Sequence, residues 1–262
     1  MNANDPKKDT SSSEAALLFS GGLDSTMAAT VLAEQYDKVH LLAVERGYGQ
    51  VKVERTRRRF EELQEAIGEN RFTHDILEAR KLFGRIVMRT LLRDIVKYKG
   101  LFVVCVGCKL VMHTVALIHC LEHNIPCIAD GASGATEWMS DQNSESIEGY
   151  RRLHGTFGVL YSNPVIDIQD REEERKRLRE LGLSTGRKVA GRDLGTQPVC
   201  YYGDLLTFLR EAVFRFSLPV TNRSVGAYIE EKTPALIDYV HKHFERLGLN
   251  VKERIEGLSS NG

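Results

Sequence analysis

The 262-residue chain has no excess of either charge: Lys+Arg and Asp+Glu both number 36. This removes the global basic surplus that advertises a nucleic-acid coat. No run of about 18 apolar residues is present, so a membrane-spanning helix is not expected. The opening "MNANDPKKDTSSSE" lacks the apolar centre of a signal peptide and reads as a disordered leader over residues 1–14. The expected compartment is the cytoplasm. Cysteines are few, five in all. In a reducing compartment they are free thiols, metal ligands or catalytic groups rather than disulfides. There is no internal repeat, and no low-complexity tract beyond the leader. What remains is 42% hydrophobic and 27% charged, enough for one large core, or one core plus a small appendage.

Charge is unevenly spread. Residues 46–109 carry 15 Lys/Arg against 8 Asp/Glu, whereas 130–150 hold five acids and no base. That asymmetry suits a polyanion against one face, although a solvated helix such as "ERTRRRFEELQE" gives the same pattern without a partner. "AALLF" (15–19), "KVHLLAVE" (38–45) and "FTHDIL" predict strands, and "GLFVVCVGC" predicts a strand that breaks at its cysteines. "IPCIADGAS" predicts a further buried strand. Between them lie helical segments: about 25–35, "QVKVERTRRRFEELQEAIG", the basic stretch 79–99, and "KLVMHTVALIHCLEHN". Alternating strands and helices predict an α/β, doubly wound parallel sheet covered on both faces, with ligands at the carboxyl ends of its strands. Ser20–Ser25, Cys105–Cys108 and Asp130–Ser133 are expected at such ends. An acidic, flexible stretch is expected over 136–150, then a charged helix "REEERKRLRELGL" and a loop "DLGTQPVCYYG" holding Cys200. The catalytic domain is expected over 15–203, with a small helical C-terminal region over 204–262.

The turn "SGGLDST" after the first strand has a specific chemistry. Glycines let a phosphate approach the backbone, and the following helix offers unpaired N–H donors and the positive end of its dipole. Ser20 and Ser25 add hydroxyls. Asp24 repels phosphate by itself, and makes sense if it holds Mg²⁺ or orients the loop; the plainer alternative is a first-turn acid favoured by the dipole. No Gly-Lys-Ser/Thr follows, so this is not a Walker loop. The motif resembles the SGGxDS signature of the PP-loop ATP pyrophosphatases, an adenine nucleotide α-hydrolase-like superfamily. Those enzymes cleave ATP to AMP and pyrophosphate while adenylating a substrate. The resemblance implies ATP and Mg²⁺ as cofactors, with Ser20, Gly21, Gly22, Asp24 and Ser25 at the phosphates. "YDKVHLLAVERGYGQ" resembles the second strand of the superfamily, closest to the 7-cyano-7-deazaguanine synthases, and implies adenine near the backbone of Ala43. "DGASGATE" (130–137), with Gly131, occupies the place of a second nucleotide-contacting loop, in a departure from the usual sulfur-transferase sequence.

Cys105 and Cys108 form a CxxC, and Cys200 follows 92 residues later. Cys120 and Cys127 lie in apolar segments and read as small buried hydrophobes. CxxC alone fits a redox pair, half a zinc site or two inert thiols. Its surroundings, and the segment "NPVIDIQDREEERKRLRELGLSTGRKVAGRDLGTQPVC", resemble sulfur-inserting PP-loop enzymes, in particular tRNA thiolation enzymes with CxxC plus a late cysteine. That resemblance implies Asp24, Cys105, Cys108 and Cys200 as catalytic residues. Two site chemistries fit it: a persulfide on Cys200 resolved by Cys105 or Cys108, or a 4Fe–4S cluster on all three with one iron open. Three thiols favour the cluster. Zinc would need a fourth ligand, for which His113 is available. The cyano-deazaguanine synthases carry four late cysteines, and this chain has one. Lys109 beside the thiols could steady an oxyanion, with a surface lysine as the plainer reading.

The expected function is therefore ATP-dependent sulfur transfer to a tRNA base, with a protein or inorganic sulfide as donor and room for a homodimer. The alternatives are sulfur insertion into a small molecule, a zinc-stabilised nucleotide-binding module without turnover, or a cyano-deazaguanine synthase-like ligase.

Overall fold

The computed structural model describes residues 13–185, 188–189, 192–193, 195–208 and 221–259. The expected leader thus lies almost wholly outside the described residues, as does much of "DLLTFLREAVFRF". Five parallel strands form the main sheet: β1 (Glu14–Leu18), β2 (Lys38–Glu45), β4 (Phe72–Glu78), β5 (Cys127–Asp130) and β6 (Leu160–Ser162). Their order is β4-β2-β1-β5-β6. The chain moves outward from β1 in one direction and then returns to its other side, so the order reverses between β1 and β5. Crevices at such reversals bind ligands in open α/β sheets. Two short pairs complete the strands: β3 (Gln50–Val51) against β9 (Val199–Cys200), and β7 (Lys188–Val189) against β8 (Arg192–Asp193).

Successive residues of a strand face opposite sides, and the core divides accordingly. Ala16, Leu18, Leu42, Val44 and Ile128 face one hydrophobic cluster, while Leu17, Phe19, Leu41 and Ala129 face the other. The second face is covered by α1 (Leu23–Gln35), α2 (Thr56–Ile67) and α7 (Arg171–Glu180). The first is covered by α3 (Arg80–Ile86), α4 (Leu91–Tyr98), α5 (Phe102–His123), α6 (Ser144–Gly155), α9 (Asn222–Arg246) and α10 (Val251–Ser259). The remaining α-helix among the described residues, α8 (Tyr201–Phe208), follows β9 directly.

The structure corrects several expectations. Residues 102–108 are not a strand but the first two turns of the 22-residue α5. Val103, Val104 and Val106 suggest a strand, yet a helix packed on nearly every side carries apolar residues all round and loses its period. By length and composition α5 could cross a membrane; the sequence reading missed this because Lys109, His113 and Thr114 interrupt the apolar run. Most of it is buried within the fold. The acidic stretch 136–150 is likewise no flexible loop. Asn143 caps α6 by accepting from Ser146 N–H at 3.0 Å, and Ser146, Gly149, Tyr150 and Leu153 turn inward at helical spacing. Gly149 allows α9 to approach closely, since a Cβ there would lie 2.7 Å from Ile229 Cγ2. The acids merely occupy the outer face.

Candidate functional site

The glycine turn lies where β1 ends and α1 begins, as its sequence predicts. Gly21 has φ +69°, and a Cβ there would come within 2.4 Å of the Thr196 carbonyl oxygen. Thr196 Oγ1 donates to the Gly21 carbonyl at 2.7 Å. The carbonyl of Gly22, the N-cap residue, accepts from the hydroxyls of Ser25 (3.2 Å) and Thr26 (2.6 Å). Ser20 Oγ lies 3.1 Å from Ser25 Oγ. The side chains that could cap α1 are thus turned onto the loop itself, and Gly22 makes no side-chain cap. This leaves the first-turn N–H groups at the helix's positive end.

Asp24 is held from two sides: Arg171 Nη2 donates to Oδ2 at 2.8 Å, and Ser133 Oγ to Oδ1 at 3.4 Å. The loop after β5 therefore adjoins the turn. Gly131 allows the contact, because a Cβ there would lie 2.7–2.9 Å from the backbone of Asp24 and Ser25. Ala43 is buried inside β2, opposite Ile76 of β4.

Cys105 and Cys108 project from one face of α5, three residues apart. They are not at a strand end. Cys200 is in β9, opposite Gln50, rather than in an unpaired loop. Arg46, one residue past β2, donates from Nη2 to Cys200 Sγ at 2.8 Å. Burial alone would lower the Arg46 pKa, yet Cys108, Cys200 and Cys105 together raise it, so the three thiols lie within electrostatic reach of this guanidinium. Burial pushes Cys108 up to about 12 and Cys105 well above the ordinary thiol range, with Asp141 adding to both. Cys200 is four residues from Thr196, at most about 14 Å of extended chain, and Thr196 itself touches the glycine turn. Cys120 and Cys127 are buried, as expected.

Lys109 is not a surface lysine. Its Nζ lies 3.0 Å from Asp130 Oδ2 at the end of β5. His113, the possible zinc ligand, is fully buried against Tyr150, with Nε2 3.3 Å from Asp130 and Nδ1 3.0 Å from His154 Nε2. Burial alone would raise the Asp130 pKa, but Lys109 and His113 hold it well below the usual carboxylate range. Sequence reasoning missed Arg46, Arg171 and Thr196; the available signal for Arg46 was a cation directly following a buried strand. The 4Fe–4S cluster expected on Cys105, Cys108 and Cys200 would need all three thiols within reach of one group. Thiolates are its natural donors, but among the described residues no three Cys, His, Asp or Glu side chains gather closely enough to hold a metal ion. Cys200 is hydrogen-bonded to a guanidinium instead, so the thiols as placed do not fit a cluster.

The parallel sheet, its reversal beside the glycine turn and the helices on both faces make an α/β fold of the adenine nucleotide α-hydrolase-like type. The family model "Queuosine biosynthesis protein QueC" matches residues 14–99, about a third of the chain. That match ends before the cysteines. A 4-thiouridine synthetase, solved in complex with RNA and ATP, is similar over 85% of this chain and 54% of its own, with 16% identity and a TM-score of 0.50. A predicted tRNA methyltransferase subunit from Methanocaldococcus jannaschii aligns over 69% of this chain and 97% of its own, at 19% identity and TM-score 0.39. NMN synthetase from Francisella tularensis aligns over 89% and 85%, at 11% identity and TM-score 0.41. No curated protein sequence matches the chain.

Proposed function

We propose that this protein is an ATP-dependent sulfur transferase that thiolates a tRNA base in the cytoplasm. The observation that carries the reading is the hydrogen bond from Arg46 to Cys200, with Cys105 and Cys108 within electrostatic reach of the same guanidinium. ATP would bind with its phosphates at Ser20–Ser25, and Mg²⁺ would be held with Asp24 to neutralise them. An acceptor carbonyl oxygen attacks the α-phosphate and pyrophosphate leaves, so the oxygen becomes part of an AMP leaving group. Backbone N–H groups of the turn stabilise the departing charge. A persulfide on Cys200 then attacks the activated carbon through its outer sulfur, and AMP departs. Cys105 or Cys108 attacks the Cys200 sulfur, forming a protein disulfide and releasing the thiolated product; a dithiol reductant restores the thiols. Exposed Lys52, Arg57, Arg58, Lys81, Arg85 and Arg89 supply cations for an RNA backbone.

A 4Fe–4S cluster on the same thiols, which their number alone favours, would require them to draw closer than they stand. It predicts iron and acid-labile sulfide in anaerobically purified protein, both lost in Cys200→Ala. The deciding experiment is mass spectrometry of tRNA nucleosides and small thiolated metabolites from cells with and without the protein. Loss of one thionucleoside supports tRNA as acceptor. Loss of a thiolated metabolite alone moves the acceptor to a small molecule, and no change in either removes sulfur transfer.

A further inference from the structure

The buried cations of this chain are normally matched by acids. Lys232 has Asp94 at 2.6 Å, Arg59 has Glu62 at 2.6 Å, Arg175 has Glu172 at 2.5 Å, and Lys109 has Asp130 at 3.0 Å. Arg46 breaks the pattern. It is 2% exposed, and its side-chain donors go to the carbonyls of Gly47 (3.4 Å) and Tyr48 (3.2 Å) and to Cys200 Sγ (2.8 Å). Among the described residues no carboxylate pairs with it. Its flat faces are covered by the rings of Phe83 at 4.9 Å and Tyr202 at 5.8 Å. A buried cation without a counter-charge is strongly unfavourable, so a position that retains one is a position where an anion belongs.

The surrounding turn is shaped to this guanidinium. Gly47, Tyr48 and Gly49 all have positive φ, at 65°, 47° and 82°, which is costly for Tyr48 and curls the Gly47 and Tyr48 carbonyls back onto Arg46. Gln50 closes the turn by accepting from Arg46 N–H at 2.8 Å and donating to the Val44 carbonyl at 3.0 Å. The same Gln50 pairs with Cys200 across β3 and β9. One short segment thus positions both the cation and the thiol.

We infer that Arg46 is the counter-ion of a binding site for one anionic sulfur carried on Cys200. Burial raises the pKa of the Cys105 and Cys108 thiols of α5, which keeps both of them neutral. Arg46 is a positioning residue: it acts through the sulfur. The inference takes its purpose from the sulfur-transfer reading, but its chemistry stands apart from it. In the loading step the Cys200 thiolate attacks the outer sulfur of a low-molecular-weight hydropersulfide. The donor S–S bond breaks, a new S–S bond forms on Cys200, and the donor thiolate leaves. The Cys200 hydropersulfide gives its proton to water, and its anion pairs with Arg46.

The test uses the full-length protein, with cysteine hydropersulfide as the sulfur source and alkylation plus mass spectrometry as the readout at Cys200. Arg46→Met is expected to lose at least about tenfold of the persulfide formed there, and Arg46→Lys to retain part of it. A folded Arg46→Met protein that loads like wild type overturns the inference. A second readout needs no variant: the ratio of iodoacetate to iodoacetamide rates at Cys200, against free cysteine, rises if a buried cation faces the sulfur. A ratio equal to that of free cysteine also overturns it. If loading depends on Arg46 but no acceptor is ever thiolated, the transfer reading fails and the counter-ion assignment stands. If transfer proceeds equally well in Arg46→Met, the assignment alone fails.

Discussion

Asp24 and Arg171, 147 residues apart in sequence, meet through Arg171 Nη2 and Asp24 Oδ2 at 2.8 Å. Arg171 is the first residue of α7, and one turn further Glu174 is fully buried on the same side. Burial and the adjacent Asp24 charge push the Glu174 carboxyl up to about 8. The start of α7 therefore forms a wall against the glycine turn. Asp24 is more than a first-turn acid favoured by a dipole: its orientation is set by a distant helix.

The exchange Asp24→Ala should accordingly separate activity from stability. The ion pair is partly exposed, with side-chain exposures of 38% and 20%, and such pairs contribute about 0–1 kcal/mol. The melting temperature should move by only a few degrees. Pyrophosphate release from ATP should fall by about two orders of magnitude, as expected when one electrostatic element of such a site is lost. Unaltered turnover in a folded variant would take Asp24 out of the mechanism.

Gly131→Ala should act through distance. The new Cβ would meet backbone atoms of Asp24 and Ser25 at 2.7–2.9 Å, and backbone cannot rotate aside as a side-chain tip can. Either the glycine turn or the β5 loop must shift, at a cost of about 1–3 kcal/mol. ATP affinity, measured by calorimetry, should drop at least about tenfold. Gly155, where a Cβ meets nothing within 4 Å, is the matched control, and equal affinity in both variants would refute the close-packed turn.

The sheet was legible because its strands carry short, continuous apolar runs between helical segments, and β2 falls on the residues expected of it. The glycine turn was legible because its residue types serve one chemistry. Legibility failed where tertiary packing overrides local pattern. The start of α5 reads as a strand because it is valine-rich and apolar on every side, and α6 reads as a loop because its exposed acids hide a buried stripe. Lys109 reads as surface because its partner, Asp130, lies 21 residues away on another element. The cysteines could be named from spacing, but Arg46 could not: one cation among the 36 basic residues gives no hint that its counter-charge is sulfur.

Acid sensitivity should come from buried histidines. Burial lowers His113 and His154, and burial together with His123 brings His119 down to about 4. In the unfolded chain these rings take up protons near pH 6.5. Between the unfolded and folded values the unfolded state holds more protons, so stability rises with pH and is lost on acidification. Each such histidine contributes a slope of about 1.4 kcal/mol per pH unit. Denaturant titrations at pH 7.5 and 5 should show the loss, and His119→Leu should flatten it by up to that slope. An unchanged slope would mean that His119 is solvated in the folded state.

The C-terminal helices can be tested through a single buried pair. Lys232 of α9 places Nζ 2.6 Å from Asp94 Oδ2 of α4, and the two side chains are 6% and 1% exposed. Thr90 Oγ1 donates to the same oxygen at 2.6 Å, and Arg93 to the other at 2.8–2.9 Å. Burial alone would raise the Asp94 pKa, but these partners hold it below the ordinary value. Lys232→Met leaves a buried carboxylate short of its cation, which typically costs about 3–5 kcal/mol. Replacing both residues, as Lys232→Met with Asp94→Leu, removes the stranded charge and should recover most of that loss. Because Asp94 lies in α4 and Lys232 in α9, a cooperative loss of the whole fold in Lys232→Met means that residues 222–246 are part of the same core as the main sheet. Local unfolding of α9 with the sheet intact, seen by hydrogen exchange, would instead make it an appendage.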